Sequence, residues 1–419
     1  MYAEVLAIGD ELTSGERLDT NSQWISQRLA EIGVPVRFHT TVGDDLSACT
    51  DAFRVAMDRV EVVVSSGGLG PTADDLTRQA IAAALGVELV LDKPSLAAIA
   101  DLFARRGRTM PDSNRIQAMF PAGSAPIANP HGTAPGIAVQ SCRPAGHDCR
   151  LFALPGVPAE LREMWSATVR PAVVSLQPVS RTIRHRRLKC FGVGESQLES
   201  LLPDLIRRGR EPTVGITVSQ ATITLRITAS GRTHDDCLTA MQPTIDTIRS
   251  CLGTLVFGEE DDELQHAVTR LLAARGETLS TVEWGTGGQL AHWLSDVPEA
   301  ESVFRGGLVI GSDVTARDLG PEVREALAQH GPYSAQLAAA LSLSAGPTLA
   351  ADYVLAISDL PAIDTNCTTD EWFGIARKHG TDVVQSRHNS AGHPDIRLVR
   401  AAKQALNVLR LELMTPPQG

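Results

Sequence analysis

Short apolar runs alternate with segments of helical spacing along the first 170 residues. The apolar runs are EVLAIG, VPVRFHTTVG, VEVVVSSGG and RLFALPG. Between them lie NSQWISQRLAEIG, with Asn21 as its expected cap and Gly33 at its end, then LSACTDAFRVAMDRV and DLTRQAIAAALG. Because strands separated by helices of roughly 10–15 residues form βαβ units, residues 1–175 are predicted to be an α/β domain with a parallel sheet.

The pattern changes near residue 180. The segments RTIRHRRLKC, ESQLESLLPDLIRR, PTVGITVS, QATITLRITAS and THDDCLTAMQPTIDTIRSCLG follow the order β, α, β, β, α. This order predicts a small α+β domain over residues 180–257. A third domain, over residues 260–415, is predicted to begin with the helix DELQHAVTRLLAARG and to end with IRLVRAAKQALNVLRLEL. The fold class is therefore α/β, with three domains.

Composition narrows the possible partners. The 419 residues carry a formal charge of -11, which disfavours nucleic acid as a partner and provides no polybasic surface for membranes. The start MYAEVLAIGDEL has no basic region before its apolar run, so we expect no signal peptide and a cytoplasmic protein. Cys142, His147 and Cys149 offer three ligands where zinc needs four, which favours an ordinary hairpin turn.

A glycine-rich stretch, SSGGLGPTADDLTRQAI, carries the most specific chemistry. An apolar strand leads into glycines and the next helix, an arrangement that binds anions in open α/β sheets. The candidate ligand-binding residues are Gly67, Gly68, Gly70, Thr72, Asp74, Asp75 and Thr77. The last three of these are expected in the first turn of the helix. Carboxylates repel a bare phosphate, so a divalent metal is expected to bridge the two. The simpler alternative is that Asp74 or Asp75 caps the helix.

Other polar loops are predicted at the same edge of the sheet. The carboxyl ends of parallel strands lie together, so loops that follow different strands converge. The residues concerned are Asp10, Glu11 and Asn21 after the first strand, Asp44 and Asp45 after the second, and Asn129, Gly132, Thr133 and Glu160 further along. One polar crevice is therefore expected to collect them.

The order and spacing of these segments resemble those of the CinA (competence/damage-inducible) family. AIGDELTSGERLDTN, SSGGLGPTADDLTRQAI, ARRGRTMPDSNRIQAMFPAG, NPHGTAPG, FGVGESQLESLLPDL and EDDELQHAVTRLLAARG all contribute. The resemblance implies a molybdopterin-binding-type α/β domain, a KH-like α+β linker and a C-terminal nicotinamide-nucleotide deamidase domain. It also implies a homodimer.

Two activities follow from the resemblance for the first domain. One is metal-dependent hydrolysis of ADP-ribose or another nucleotide diphosphate, with Asp44 and Asp75 holding the metal and Asp10, Glu11 or Glu160 orienting the nucleophile. The identity of the metal is open. The other is non-catalytic binding of molybdopterin or a nucleotide at the same motif. The family usually has Thr where this chain has Asp10, which keeps the second alternative open.

The deamidase-like domain departs from its family at the expected active site. The family has Glu-Ser-Cys before Thr-Gly-Gly, with the Ser as nucleophile. It later has Tyr-Ser-Asn followed by a Lys that activates this Ser. The corresponding residues of this chain are Glu283, Trp284, Gly285, Thr286, Gly287 and Gly288, then Gly311, Ser312, Asp313 and Ala316. Acyl transfer needs nucleophile, base and oxyanion site together, so we expect an inactive deamidase.

An active deamidase with atypical residues is the alternative. Ser312 or Cys367 would then replace the nucleophile, although neither has a base beside it in the sequence and Ser312 suits a helix cap. The family's substrate loop is also replaced, by SDLPAIDTNCTTDEW. In the linker, FGVGES lacks the Gly-x-x-Gly of KH loops, so its arginine-rich strand is interpreted as a solvated surface in a spacer or oligomerisation domain.

Overall fold

The computed structural model describes residues 1–142, 148–177, 181–207, 209–361, 372–389 and 393–415. The chain forms two compact units, residues 1–184 with 229–240 and residues 185–228 with 241–419. Among the described residues, no helix combines the length and the apolar character that a bilayer crossing requires.

Seventeen strands and fifteen α-helices are assigned within the described residues. The strands are β1 Ala3–Ile8, β2 Val36–Val42, β3 Val62–Ser66, β4 Leu89–Leu91, β5 Met119–Pro121, β6 Ala125–Ile127, β7 Gly136–Cys142, β8 Asp148–Leu154, β9 Thr182–Cys190, β10 Thr213–Ser219, β11 Thr222–Gly231, β12 Val256–Glu259, β13 Leu279–Glu283, β14 Phe304–Val309, β15 Tyr353–Ile357, β16 Trp372–His379 and β17 Asp382–Asn389. The helices are α1 Asp10–Thr13, α2 Thr20–Glu31, α3 Leu46–Arg59, α4 Thr77–Leu85, α5 Lys93–Arg105, α6 Pro158–Met164, α7 Arg170–Ser175, α8 Glu195–Ser200, α9 His234–Leu252, α10 Leu264–Arg275, α11 Gln289–Ser295, α12 Asp313–Asp318, α13 Pro321–His330, α14 Ala335–Leu349 and α15 Pro394–Leu413.

The first unit contains a six-stranded sheet of order β2-β1-β3-β8-β7-β6. Its first four strands are parallel, whereas β7 and β6 are antiparallel to their neighbours. Alternate residues of β1 enter two apolar clusters. Leu6 packs with residues of α3 and α4, and Val5 packs with residues of α2 and α6. Helices therefore cover both faces, which explains why β1 and β3 are buried along their whole length. The predicted α/β fold with parallel strands is confirmed.

Two further sheets follow along the chain. The smaller has the order β10-β11-β9-β12, and the larger has the order β14-β13-β15-β16-β17. In the larger sheet β13 pairs in parallel with β14 and β15, while β16 and β17 are antiparallel. The predicted β, α, β, β, α order of the linker is confirmed, and β12 is an additional strand that the apolar pattern did not indicate.

Two local predictions near the crevice are wrong. Helix α2 begins one residue before Asn21, and its cap is Asp19, whose carboxylate accepts the Ser22 amide at 2.9 Å. Asp74 and Asp75 precede α4 instead of lying in its first turn, because the chain completes a separate loop before Thr77. The predicted hairpin flanked by Cys142 and Cys149 is formed by β7 and β8, but His147 lies outside the described residues.

Candidate functional site

An open cleft of about 580 Å³ lies at the carboxyl edge of the parallel strands of the first unit. It is bordered by the ends of β1 and β3, the loop after β2, and the turn between β8 and α6. The predicted residues that line it are Glu11, Asn21, Asp44, Gly67, Gly68, Gly70, Asp74, Asp75, Thr133 and Glu160. The structure thus brings together side chains from loops that are distant in sequence.

The glycine turn holds the end of β3 close to β1. Gly67 has φ +107°, and a Cβ built there would lie 2.2 Å from the carbonyl oxygen of Ile8. Thr77 fixes the other side of the turn, donating its hydroxyl to Gly67 O at 2.8 Å and its amide to Gly68 O at 3.1 Å. Only glycine fits at position 67, because any side chain would meet the backbone of β1.

Asp75 braces this turn from inside. Its carboxylate accepts the Gly70 amide at 2.7 Å, the Thr72 amide at 2.9 Å and the Thr72 hydroxyl. Both carboxylate oxygens therefore already have donors, an arrangement that orders the loop. The prediction that Asp75 also holds a metal stays a prediction, and it requires the remaining lone pairs of these oxygens.

Asp10 and Asp44 form a reciprocal pair on the opposite side of the cleft. The Asp10 amide donates to Asp44 Oδ2 and the Asp44 amide donates to Asp10 Oδ1, each at 2.9 Å. Burial raises the pKa of Asp44, and the neighbouring carboxylates of Asp10, Glu11 and Asp74 raise it further, against the opposing Asp10 amide. A bound cation would relieve this repulsion, because it favours the ionised carboxylate.

The donor set suits a hard cation only in part. Carboxylate oxygens are the ligands that Mg²⁺ and Ca²⁺ prefer. Among the described residues, however, no group of three or more His, Cys, Asp or Glu side chains is arranged to hold a metal ion. A divalent ion at Asp44 would therefore complete its coordination with water and with oxygens of the ligand, as Mg²⁺ commonly does beside phosphates.

Glu160 and the loop before β7 form one hydrogen-bonded group. The amide nitrogen of the Asn129 side chain donates to Glu160 Oε2 at 2.7 Å and to Ala134 O at 3.0 Å. Its oxygen accepts the Gly132 amide at 2.9 Å. Asn129 and Gly132 therefore support the cleft from behind, while Thr133 and Glu160 reach its surface.

Two cleft residues have roles that sequence reasoning missed. The Asn21 side chain ties β3 to the β8–α6 turn, donating to Ser66 Oγ and Gly156 O at 2.9 Å each. Gln117 is almost fully buried and also lines the cleft, with its side-chain nitrogen 3.4 Å from Leu69 O. Gln117 lies in the segment SNRIQAMF, whose irregular 3-10 turn has no periodicity to attract notice.

In the second unit, the turn after β13 is organised by Glu283. This carboxylate is fully buried and accepts the Leu290 amide, the Ala291 amide and the Thr286 hydroxyl, each at 2.8 Å. It therefore satisfies orphan donors at the start of α11. Gly287 and Gly288 have φ +60° and +94°, so the glycine turn is kept by backbone geometry.

Glu283→Ala is expected to lower the free energy of unfolding by about 3 kcal/mol, since three buried donors lose their acceptor. Urea denaturation of the full chain measures this change. The matched control is Glu325→Ala on the exposed surface of α13, which is expected to stay within ~0.5 kcal/mol of the parent. An unchanged midpoint for Glu283→Ala would show that water replaces the carboxylate.

Trp284 lies in an apolar core where the family has its nucleophile. It is 9% exposed and belongs to the same cluster as Ala316, Leu327 and Leu341. Gly285 leaves no room for a side chain, because a Cβ there would lie 2.5 Å from the Leu360 backbone nitrogen. The indole and the small Ala316 thus fill one core together.

Ser312 serves as the cap of α12. Its oxygen accepts the Thr315 amide at 3.3 Å and lies 3.1 Å from the Thr315 hydroxyl. Gly311, before it, is exposed at the end of β14. Cys367 and the larger part of the predicted substrate-loop replacement, residues 362–371, lie outside the described residues.

The arginine-rich strand β9 is engaged by an acidic segment of the second unit. Arg186 lies 3.5 Å from Glu260, and Arg187 lies 3.2 Å from Glu260 and 3.1 Å from Asp261. Lys189 contacts Glu263 at 3.4 Å. The charges of Arg186, Arg187 and Lys189 are therefore paired within the chain, and the interpretation of this strand as a solvated surface stays a prediction.

Comparison with known proteins matches three family models along the chain. They are described as "Probable molybdopterin binding domain" over residues 4–174, "Damage-inducible protein CinA KH domain" over 185–258 and "CinA C-terminal domain" over 261–413. A "CinA-like protein" of Frankia casuarinae is 37% identical over 437 residues, covering 100% of this chain and 98% of the relative. A "CinA-like protein" of Dictyoglomus thermophilum is 37% identical over 339 residues, covering 81% of this chain and 80% of the relative.

A solved structure, described as the protein CinA with unknown function from Thermoplasma acidophilum, is also similar. It is 36% identical, with a TM-score of 0.37, and the match covers 41% of this chain and 96% of that chain.

Proposed function

This chain belongs to the CinA family, and from that premise we propose that its first domain hydrolyses the pyrophosphate bond of ADP-ribose or a related nucleotide with a divalent metal. The observation that carries the proposal is Asp44, whose pKa is raised by burial and by three neighbouring carboxylates beside a glycine turn. A bound cation would stabilise the ionised carboxylate of Asp44, and phosphate oxygens would complete the coordination of the cation.

The residues of the cleft have distinct parts in this proposal. The turn of Gly67, Gly68 and Gly70 carries no Cβ atoms and would let a diphosphate approach the backbone closely. Asp44 would hold the metal, which when bound neutralises phosphate charge and lowers the pKa of water. Glu11 and Glu160, both at the surface of the cleft, would orient the attacking water and accept its proton.

Asp44→Asn is expected to reduce metal-dependent turnover of ADP-ribose by at least ~10-fold, since it removes the charge that attracts the cation. The side-chain carbonyl of this variant can still accept the Asp10 amide, so the loop keeps its hydrogen bond. Chromatography of the AMP and ribose 5-phosphate formed, with and without Mg²⁺ or Mn²⁺, measures the effect. Asp51→Asn, which removes an exposed carboxylate from α3, is the control.

The pH dependence follows from the raised pKa of Asp44. The metal needs the ionised carboxylate, so its affinity is expected to fall as pH falls through that pKa. A raised carboxyl pKa also means that ionisation of Asp44 opposes folding once pH rises above it. Asp44→Asn should therefore keep or slightly raise the unfolding midpoint at neutral pH, while activity falls. If the unfolding midpoint and the activity both fall in Asp44→Asn, Asp44 is a purely structural residue.

The second candidate function is non-catalytic binding of molybdopterin or a nucleotide. It is favoured by the engagement of Asp75 with its own loop and by the lack, among the residues described, of a three-residue metal group. Calorimetry with a non-hydrolysable ADP-ribose analogue, beside the turnover assay, separates the two. Tight binding without turnover in any divalent metal favours the binder.

For the last domain we propose that deamidase activity is lost. An active deamidase with atypical residues needs a nucleophile, and Trp284 is packed in a core while Ser312 caps a helix. Neither arrangement leaves a nucleophile with a base beside it.

A further inference from the structure

Arg78 is a buried cation next to the glycine turn that the proposed reaction does not use. It is the second residue of α4, and its side chain is fully inaccessible to solvent. Its Nη1 lies 3.5 Å from Gly70 O, which is at the limit of a hydrogen bond. Its Nε and Nη2 have no hydrogen-bond partner among the described residues.

The charge of this guanidinium is only partly compensated. Burial lowers the pKa of Arg78 to about 10, and the attraction of Asp75 opposes that shift. The oxygens of Asp75 accept hydrogen bonds from Gly70 and Thr72, so Asp75 attracts Arg78 through its charge. A buried ion without full pairing is costly, because its lost hydration is not returned.

The position of this cation determines where its field acts. Arg78 touches the carbonyl of Gly70, and Gly70 lines the cleft. The cleft is also lined by Glu11 and Asp44 and, in the loop of the turn itself, by Asp74 and Asp75, whose charges repel anions. Arg78 offsets the two carboxylates of this loop, so the turn is the part of the lining where a phosphate meets a positive charge.

We propose that Arg78 is a positioning residue that makes the Gly67–Gly70 turn selective for phosphate, acting through the loop without contacting the ligand. The proposal rests on the proposed function only in taking a phosphate compound as the ligand of the cleft. A charge held in a medium of low dielectric acts over longer distances than one in water. The buried charge of Arg78 thus lowers the stability of the fold and raises the affinity of the cleft for phosphate.

The test uses the full chain, with inorganic pyrophosphate and Mg²⁺ titrated separately by calorimetry. Arg78→Met keeps a long side chain and removes the charge. It is expected to weaken pyrophosphate binding about 10-fold, as for one unit charge acting through a partly buried medium. Binding of Mg²⁺ alone should stay equal or tighten, because a repelling cation has gone. The unfolding midpoint should stay equal or rise.

Two further variants complete the design. Arg78→Lys keeps the charge and is expected to bind pyrophosphate within about 3-fold of the parent. Arg105→Met removes an exposed arginine of α5 and should leave pyrophosphate and Mg²⁺ binding unchanged.

The outcomes are distinct. Weaker binding of both ions together with a lower unfolding midpoint for Arg78→Met shows a structural residue and overturns the proposal. Pyrophosphate affinity equal to that of the parent overturns it as well, while the proposed function stands. A parent protein that binds no pyrophosphate, with or without Mg²⁺, overturns the proposed function and this inference together.

Discussion

Asp75→Ala is expected to reduce ADP-ribose hydrolysis by ~100-fold or more while the sheet of the first unit stays folded. The substitution removes the acceptor of the Gly70 and Thr72 amides. The glycine turn then loses its shape, and positioning losses of this kind cost orders of magnitude in rate. Turnover in saturating Mg²⁺ and far-UV circular dichroism measure the two parts of the prediction.

The metal affinity of the same variant separates the two roles of Asp75. If the carboxylate only braces the loop, Asp75→Ala binds Mg²⁺ as the parent does in the absence of nucleotide. If it also holds the metal, Mg²⁺ affinity falls by at least ~10-fold. Asp101→Asn, on the exposed surface of α5, is the matched control. Full hydrolytic activity of Asp75→Ala, or full activity in excess chelator, contradicts the proposed reaction.

Restoring the family residues at the deamidase position is expected to yield no activity and a large loss of stability. Trp284→Ser empties a core position that Ala316 cannot fill, at a cost of about 3–5 kcal/mol. Gly285→Cys places a side chain against Leu360, where a Cβ alone approaches to 2.5 Å. The substitutions that restore the family residues therefore distort the turn on which these residues would have to act.

Ammonia release from nicotinamide mononucleotide measures the activity of the parent and of the double variant. Trp284→Phe is the control, because it keeps most of the core volume and is expected to lose less stability than Trp284→Ser. Multiple turnovers by the parent at an ordinary enzymatic rate would falsify the proposed loss of the site. Activity in the double variant alone would show that only the nucleophile had been lost, which a missing Lys at position 316 argues against.

For the cleft residues, the sequence predicted the positions of the loops but not the hydrogen bonds between them. The loops bearing Asp10, Asp44 and Asp75 could be assigned to one sheet edge, because parallel strands place their carboxyl ends together. Their hydrogen bonds could not be assigned. Asp10 and Asp44 are 34 positions apart, and the backbone amide of each donates to the carboxylate of the other. Nothing within either segment indicates this partner. The same holds for Asn21, which is tied to Gly156 across 135 positions.

The sequence analysis left the segment between α4 and β7 unassigned. Residues 87–127 contain α5 and the short strands β4, β5 and β6, and each of these strands has three residues. An alternation of apolar and polar positions is not recognisable over three residues. β12 is similarly short and is defined by its pairing with β9, not by its own composition.

The sequence by itself determined the three-domain α/β architecture, the family, and the presence of Trp284 where the resemblance to the family implies a nucleophile. These depend on periodicity, on motif order and on the identity of single residues, which are local properties of the chain. Only the tertiary structure decided that Asp75 braces the turn, that Trp284 and Ala316 share a core, and that Arg78 is buried with most of its donors unpaired. Burial, charge and hydrogen bonding at a residue depend on neighbours that folding brings from elsewhere in the chain, so no local pattern contains them.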